Sequence, residues 1–414
     1  MPESPYPMIA VEDALEIIRR EIKPLPTVAL PFAEALDMVL AEDVYADEPM
    51  PPFAAASVDG FAVIAADGPG WHRLVGDQTA GYMAGLRVEP GAAARVTTGA
   101  PIPPGADAMV MVEQTEEQNG QVNILLPEIR AGDNIRPVGQ DIEQGQLVLA
   151  KGTLLGPAEL GLLGTVGKTE VAVHRRPVVA VMSTGDEIVP PEQTPRPGQI
   201  RDANRFTLMS VVRQTGAVPL DMGIVHDKAN SLEATIEQGL AQADVLLTSG
   251  GVSMGELDLV KPYLARRGTI HFGRVRTKPG KPVTFAVVDG KPCFAMPGFP
   301  VSAMVSFEVF VRPALLKMAG HTKIYRPVEP AVLAHSIRHN PDRNEFQRVN
   351  LSRQADGRLL AAATGAQGSG RLLSMVGANG LIKLPYGQSD FAAGAVVEAM
   401  LLGPVGMAQE HADD

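Results

Sequence analysis

From about Arg176 onward, continuous apolar runs (PVVAVMST, AVPLDMGIV, ADVLLTSG, GTIHFGRV, PVTFAVV) are interspersed with helix-like segments (DANRFTLMSVVRQTG, SLEATIEQGLAQ, LDLVKPYLARRG). A strand solvated on one face alternates apolar and polar residues, whereas unbroken apolar strands alternating with helices predict a parallel sheet covered on both faces. Residues 176–326 are therefore expected to form a doubly wound α/β domain. Ligands of such sheets gather beyond the carboxyl ends of the strands. Those ends carry STGDEIV, GIVHDKAN, LLTSGGVSMGELD, VRTKPGKP and AMPGFPVSAM, and all five are expected to converge on one crevice.

The remainder of the chain reads differently. Apolar residues at helical spacing predict a helix over residues 8–22 and a second from about Ala33 to Leu40, and LGPAELGLLGTVG resumes helix later. Residues 1–44 and 146–175 are thus expected to form a discontinuous helical and linker domain. Between them, residues 45–145 carry short β-type runs punctuated by glycine and proline, the pattern of an inserted β-rich domain. Residues 327–414 return to short strands and predict a small β-barrel. A chain of 414 residues with 45% hydrophobic content is long enough for two to four such domains.

Composition excludes several classes. No apolar stretch approaches the ~18 residues of a membrane span, and the first residues lack a basic start followed by an apolar block, so a cytoplasmic protein is expected. One cysteine, Cys293, rules out an internal disulfide framework. A net charge of −11 argues against nucleic-acid binding, which relies on neutralising phosphates. Within that acidic chain, Lys261, Arg266, Arg267, Arg274, Arg276, Lys278 and Lys281 form a basic island without an intervening acid. Arg266 and Arg267 read as a solvated helix face, while Lys278 and Lys281 sit where prolines and a glycine fix the backbone.

The stretch Asp244–Tyr263 ends a strand at Gly250 and Gly251 and then sets Glu256 and Asp258 beside the break. Glycines after a strand permit a turn whose amides can hold an anion. Asp186, Glu187 and Asp227 stand at neighbouring strand ends, and each acid taken singly reads as a helix cap. Taken together at an anion site they would repel the ligand unless a divalent cation such as Mg²⁺ lay between. Glu256 and Asp258 both belong to this cluster of acids. Zinc is disfavoured, because eight scattered histidines and one cysteine offer no ligand spacing.

The residues STGDEI, GQIRDANRF, TSGGVSMGELD, KPGKP and PGFPVSAMVSFEVFVRPALLKMAG, with PPFAAASVDGFAV, TTGAPIPPGADAMV and GDNIRPVGQDI upstream, resemble the molybdopterin molybdenumtransferase family, MoeA and the gephyrin E domain. The resemblance runs in order over nearly the whole chain. It implies an elongated homodimer of four-domain subunits, with a molybdopterin-binding α/β domain. The implied reaction inserts molybdate into adenylated molybdopterin and releases AMP, with Mg²⁺ or a similar ion. It also implies transient contact with a molybdopterin adenylyltransferase and with enzymes that accept the cofactor.

Carried over by position, the family's acidic residues fall on Asp59, Asp141, Glu187, Asp227 and Asp258, and a family threonine on Thr98. Lys278 and Lys281 match KPGKP, and Arg274 stands where lysine is expected. The resemblance assigns catalysis to these acids with Thr98 and Lys278, and metal binding to Glu187, Asp227 and Asp258. Ligand contacts fall on Ser249, Gly250, Gly251, Ser253, Arg274, Lys278, Lys281, Pro297 and Pro300, with Arg348 and Ser369 suited to an oxyanion. Asp59 and Asp141 lie in or beside the inserted domain, so a dimer would let them complete the other subunit's crevice. The chain departs from the family pattern at Ala54, Ala55, Ala56, Val58 and Phe61, at Lys228 where a second acid is usual, and at Phe299 in place of the asparagine of PGNP. A non-catalytic molybdopterin-binding paralogue or scaffold, and a nucleotide hydrolase sharing only the α/β domain, remain alternatives at this point.

Overall fold

The structure is a computed structural model in which residues 6–226, 229–251 and 259–407 are described. Two compact units divide the chain. One comprises Met1–Val28, Asp37–Val39 and Val173–Asp414, within the described residues, and the other Ala29–Leu36 and Leu40–Ala172.

The larger unit is built on a six-stranded sheet, in spatial order Val218–Val225, Val178–Thr184, Val245–Ser249, Lys291–Met296, Thr284–Val288 and Gly268–Phe272. The first four strands are parallel, as expected. The fifth is reversed: Thr284–Val288 pairs antiparallel with both its neighbours, so the runs PVTFAVV and GTIHFGRV form an antiparallel margin. The cause is local. Asp289 (φ 50°) and Gly290 (φ 76°) both occupy the left-handed region, the backbone of a two-residue hairpin turn, and the hairpin reverses the chain before a crossover helix can intervene. Two reversals restore direction, so Gly268–Phe272 still delivers residues 273–281 to the same sheet edge as the four parallel strands.

Alternation along the strands feeds two cores. Val179, Val181, Val245, Leu247 and Phe294 pack with helices Asn204–Gln214 and Pro300–Ser306 on one face, whereas Ala180, Met182, Leu246, Cys293 and Ala295 pack with helices Ala229–Gln242 and Val260–Arg267 on the other. Each fully buried Val, Leu, Ile or Phe contributes about 1.5–3 kcal/mol. Helix Val11–Glu21, read from sequence as part of the linker segments, places Val11, Ala14 and Ile18 in the first of these cores.

Beyond the sheet, strands Val328–Leu333, Asn344–Arg353, Leu359–Ala363, Gly380–Leu384 and Val396–Leu401 pair in a closed ring, each with two partners. This is the expected small barrel, and closure leaves no open edge. Thr277–Lys278 extends it by pairing parallel with Asn344–Glu345, which fixes the KPGKP loop against the barrel.

The second unit holds its own six-stranded sheet, ordered Ala108–Met111, Gly60–Val63, Ala92–Val96, Gly70–Gln78, Gln121–Ile124, Thr115–Gln118. Helix Pro157–Thr165 forms as read, with Gly156 N–H donating to Glu159 Oε2 at 3.0 Å. The helix expected over Ala33–Leu40 is absent beyond one turn at Phe32–Glu34, because Asp37 adopts φ 61° and ends any helical path.

Candidate functional site

At the carboxyl edge of the large sheet, two strand ends are drawn together by one asparagine. Asn204 opens helix Asn204–Gln214, and its Nδ2 donates to Ser249 Oγ at 2.6 Å and to the Gly298 carbonyl at 2.7 Å. Behind it, buried Asp202 accepts from Ser183 Oγ at 2.9 Å, from Arg205 Nε at 2.8 Å and from Arg205 N–H at 3.1 Å. Arg205 also donates to Asp221. Burial alone would lower the Arg205 pKa, but the two carboxylates outweigh it and hold the guanidinium above its ordinary value. A buried cation satisfied by two acids is rigid, so Asn204 is presented at a fixed position.

The space this clasp encloses is a cleft of about 100 Å³, lined among others by Thr184, Glu187, Asn204, Ser249, Gly250, Gly298 and Pro300. Of the residues predicted from sequence, Glu187, Ser249, Gly250 and Pro300 therefore meet here. Gly250 (φ 91°) donates its N–H to the Met296 carbonyl at 3.1 Å, and a Cβ there would stand 2.5 Å from the Thr184 carbonyl. Its glycine is required by close approach of two strand ends, and its amide is already used within the protein. Gly251 (φ 64°) is constrained likewise, since a Cβ would reach Val260 Cγ2 at 2.8 Å. Pro297 is buried next to the cleft-lining Gly298.

The KPGKP loop stands against helix Pro300–Ser306: a Cβ on Gly280 would lie 2.4 Å from Ser306 Oγ, a buried hydroxyl with no partner among the described residues. Lys278 Nζ donates to Glu345 at 3.1 Å, and Glu345 is almost wholly buried in the barrel, where Gln347 Nε2 donates to it as well. Among the described residues Arg274 and Lys281 form no ion pair, whereas Arg266 and Arg267 pair with Glu233 and Glu237 of the neighbouring helix. That is the ordinary helix-face behaviour expected of the latter two.

From the barrel, the Ser369 carbonyl accepts from Val301 N–H at 3.1 Å, bringing the 365–371 loop beside Phe299. Arg348 is fully buried, with Nε donating to Ser374 Oγ at 3.1 Å and a terminal nitrogen to the Gly368 carbonyl at 3.3 Å. Burial pushes its pKa down, partly offset by Glu345. Its visible work is to hold the loop that carries Ser369.

In the second unit, Asp59 Oδ1 accepts from Thr98 N–H at 2.8 Å, so these two predicted residues are adjacent and exposed. Asp141 pairs with Arg136. Asp227, Ser253 and Asp258, with Glu256, lie outside the described residues. Among the described residues no group of three or more His, Cys, Asp or Glu side chains converges. Asp202, Asn204 and Arg205 carried no role in the sequence reading. Their signal was the polar RDANR cluster between two apolar segments.

Three family models match the chain in succession: the MoeA N-terminal region (domain I and II) over residues 9–167, the probable molybdopterin binding domain over 180–317, and the MoeA C-terminal region (domain IV) over 330–402. Such a chain is a multidomain enzyme of molybdenum cofactor biosynthesis. The molybdopterin molybdenumtransferase of Nostoc sp. is 34% identical, with 97% of this chain and 96% of that protein covered, and the one from Bacillus subtilis is 32% identical, with 95% and 94% covered. Gephyrin of Dictyostelium discoideum is also 34% identical over 97% of this chain, which spans 63% of that longer protein. A solved structure of the molybdopterin biosynthesis MoeA protein from Pyrococcus horikosii superposes with a TM-score of 0.82 at 32% identity, covering 96% of this chain and 100% of that one. The chain belongs to the MoeA family, the molybdopterin molybdenumtransferases.

Proposed function

We propose that this enzyme inserts molybdate into adenylated molybdopterin and releases AMP. The observation that carries the reading is the Asn204 clasp, which joins the strand ends at Ser249 and Gly298 beside Glu187, at the sheet edge where α/β folds bind ligands. Ser249 Oγ, Asn204 and the cleft backbone would orient the anionic pterin, and Lys278, Lys281 and Arg274 would neutralise developing charge on phosphate and molybdate. Lys278 is well suited, because its ammonium is held at a buried carboxylate but keeps a half-exposed face. Ser369, on the loop that Arg348 braces, would meet the oxyanion.

Carboxylate oxygens suit a hard divalent cation such as Mg²⁺, with Glu187 in the cleft and Asp227 and Asp258 as further ligands; when bound, the ion would polarise the phosphoanhydride. In a homodimer, Asp59, Thr98 and Asp141 of one subunit would complete the cleft of the other. The four-part division, residues 1–44 with 146–175, 45–145, 176–326 and 327–414, belongs to this reading, as do a cytoplasmic location and transient contact with the adenylyltransferase and cofactor-accepting enzymes. Among the described residues no helix is long and apolar enough to cross a membrane.

The test is incubation with adenylated molybdopterin, molybdate and Mg²⁺. Release of AMP that stops on chelation and resumes with Mg²⁺ is expected; an enzyme silent under conditions where the Bacillus subtilis relative turns over would reject the reading.

A further inference from the structure

Phe299 is 62% exposed, at the cap of helix Pro300–Ser306, between Gly298 and Pro300, both of which line the cleft. A lone exposed phenylalanine requires no explanation. This one has a defined seat: its ring edge rests on Gly370, where an added Cβ would meet Cδ1 at 3.5 Å, and the loop beneath is tied down by the bond from Val301 N–H to the Ser369 carbonyl. Among the described residues no other ring and no guanidinium stacks on it.

Size supplies the second argument. A cleft of about 100 Å³ falls well below the ~300 Å³ or more of pockets that enclose a whole ligand. It accepts an anionic group and its immediate attachment, so a ligand that also carries a fused heterocycle must lay that ring over the rim. Beside the cleft, between its lining residues Gly298 and Pro300, stands Phe299. Phe206, Met304 and Met375 line an apolar groove of about 370 Å³ that begins two residues beyond Asn204.

We propose that Phe299 is a substrate-binding residue whose ring stacks on the planar heterocycle of an anionic substrate while the phosphate or equivalent anion occupies the cleft. The inference rests on the transferase reading and names what that site takes: a fused-ring compound bearing an anion, either the purine of the adenylate or the pterin. A phenylalanine stacks on any such ring and offers no hydrogen bond, so it contributes affinity through ring area and leaves discrimination to the cleft.

The experiment compares the wild type with Phe299→Ala, Phe299→Asn and Phe299→Tyr for binding of AMP, pterin-6-carboxylate and ribose 5-phosphate. Stacking predicts about tenfold weaker binding of a ring compound to the Ala and Asn variants, near wild-type binding to Tyr, and no change for ribose 5-phosphate. Whichever ring compound shows the loss is the one that stacks. Because Trp71 is the sole tryptophan, Phe299→Trp in a Trp71→Phe background reports the contact directly as ligand-dependent fluorescence quenching. Equal binding of both ring compounds by wild type and Ala variant overturns the proposal, as does a loss shared by ribose 5-phosphate or failure of the wild type to bind either ring. The AMP-release assay separates the two readings. A wild type that turns over, with Phe299→Ala unchanged in KM, refutes the stacking alone, whereas a wild type that does not turn over refutes the transferase reading.

Discussion

A single amide side chain sets the geometry of the cleft. Asn204 gives up two hydrogen bonds when truncated, about 1 kcal/mol each, so Asn204→Ala is expected to lower stability by roughly 1–2 kcal/mol. Its effect on turnover should be larger, since small misplacement of a positioned ligand costs up to about 100-fold. Steady-state assays are expected to show kcat/KM for AMP release down about 10- to 100-fold with a melting point only a few degrees lower; unchanged kcat/KM would remove Asn204 from the site. Cys293 makes the opposite case, a reactive residue type held inert by burial. Burial pushes its thiol up to about 12, so at pH 8 the thiolate is present at roughly one part in ten thousand. Native protein is expected to resist iodoacetamide at that pH and to react once unfolded. Of these residues the sequence settled for Cys293, from count alone, only that it forms no internal disulfide. It left Asn204 unread, because an asparagine after a polar turn has the same local pattern whether it caps a helix or bridges two distant loops.

Elements show where local signals sufficed and where tertiary partners decided. The Gly250 turn was legible as a turn, yet its reason is the Thr184 carbonyl on a strand 66 residues away in the chain. Gly250→Ala combines a positive-φ backbone with a 2.5 Å clash against main chain, and a loss of about 2–4 kcal/mol by denaturant unfolding is expected. The Asp289-Gly290 hairpin carried its own plain signal, and the antiparallel margin follows from it; continuous hydrophobicity hid this, since buried antiparallel strands read like parallel ones. At the sheet's other end, Asp244 receives two hydrogen bonds from Arg175, at 2.5 and 2.6 Å, and one from Val178 N–H at 2.9 Å. Burial raises its pKa, but Arg175, Val178 N–H and Lys291 outweigh that and hold it below the usual carboxylate range. The folded state thus binds fewer protons than the unfolded one, so the stabilisation is complete above about pH 4–5 and declines as pH falls through the depressed value. Asp244→Asn is expected to cost about 1–3 kcal/mol at pH 7 and progressively less towards pH 2, measured as the difference between urea unfolding curves. A cost independent of pH would mean that packing, not charge, is at work.

The molecule as a whole poses a question that neither unit answers alone. Glu187, Ser249 and Lys278 stand in one compact unit, Asp59 and Thr98 in the other. The order of motifs made both groups legible, because a family's functional residues keep their chain positions, but chain order carries no information on which copy of the second unit serves a given cleft. Complementation decides it. If Asp59 serves the partner's cleft, a dimer of one Asp59→Asn subunit and one Lys278→Ala subunit contains one doubly defective site and one intact site, whereas service within a subunit leaves both sites defective. Random reassortment of equal amounts makes half the dimers mixed, each with one of two sites intact, so about a quarter of wild-type activity is expected after unfolding and refolding the two inactive proteins together. Refolding each variant alone should give none, which excludes refolding itself as the source. Co-refolded protein that sediments as a dimer yet stays inactive would place Asp59 with its own subunit's cleft and end the shared-site reading.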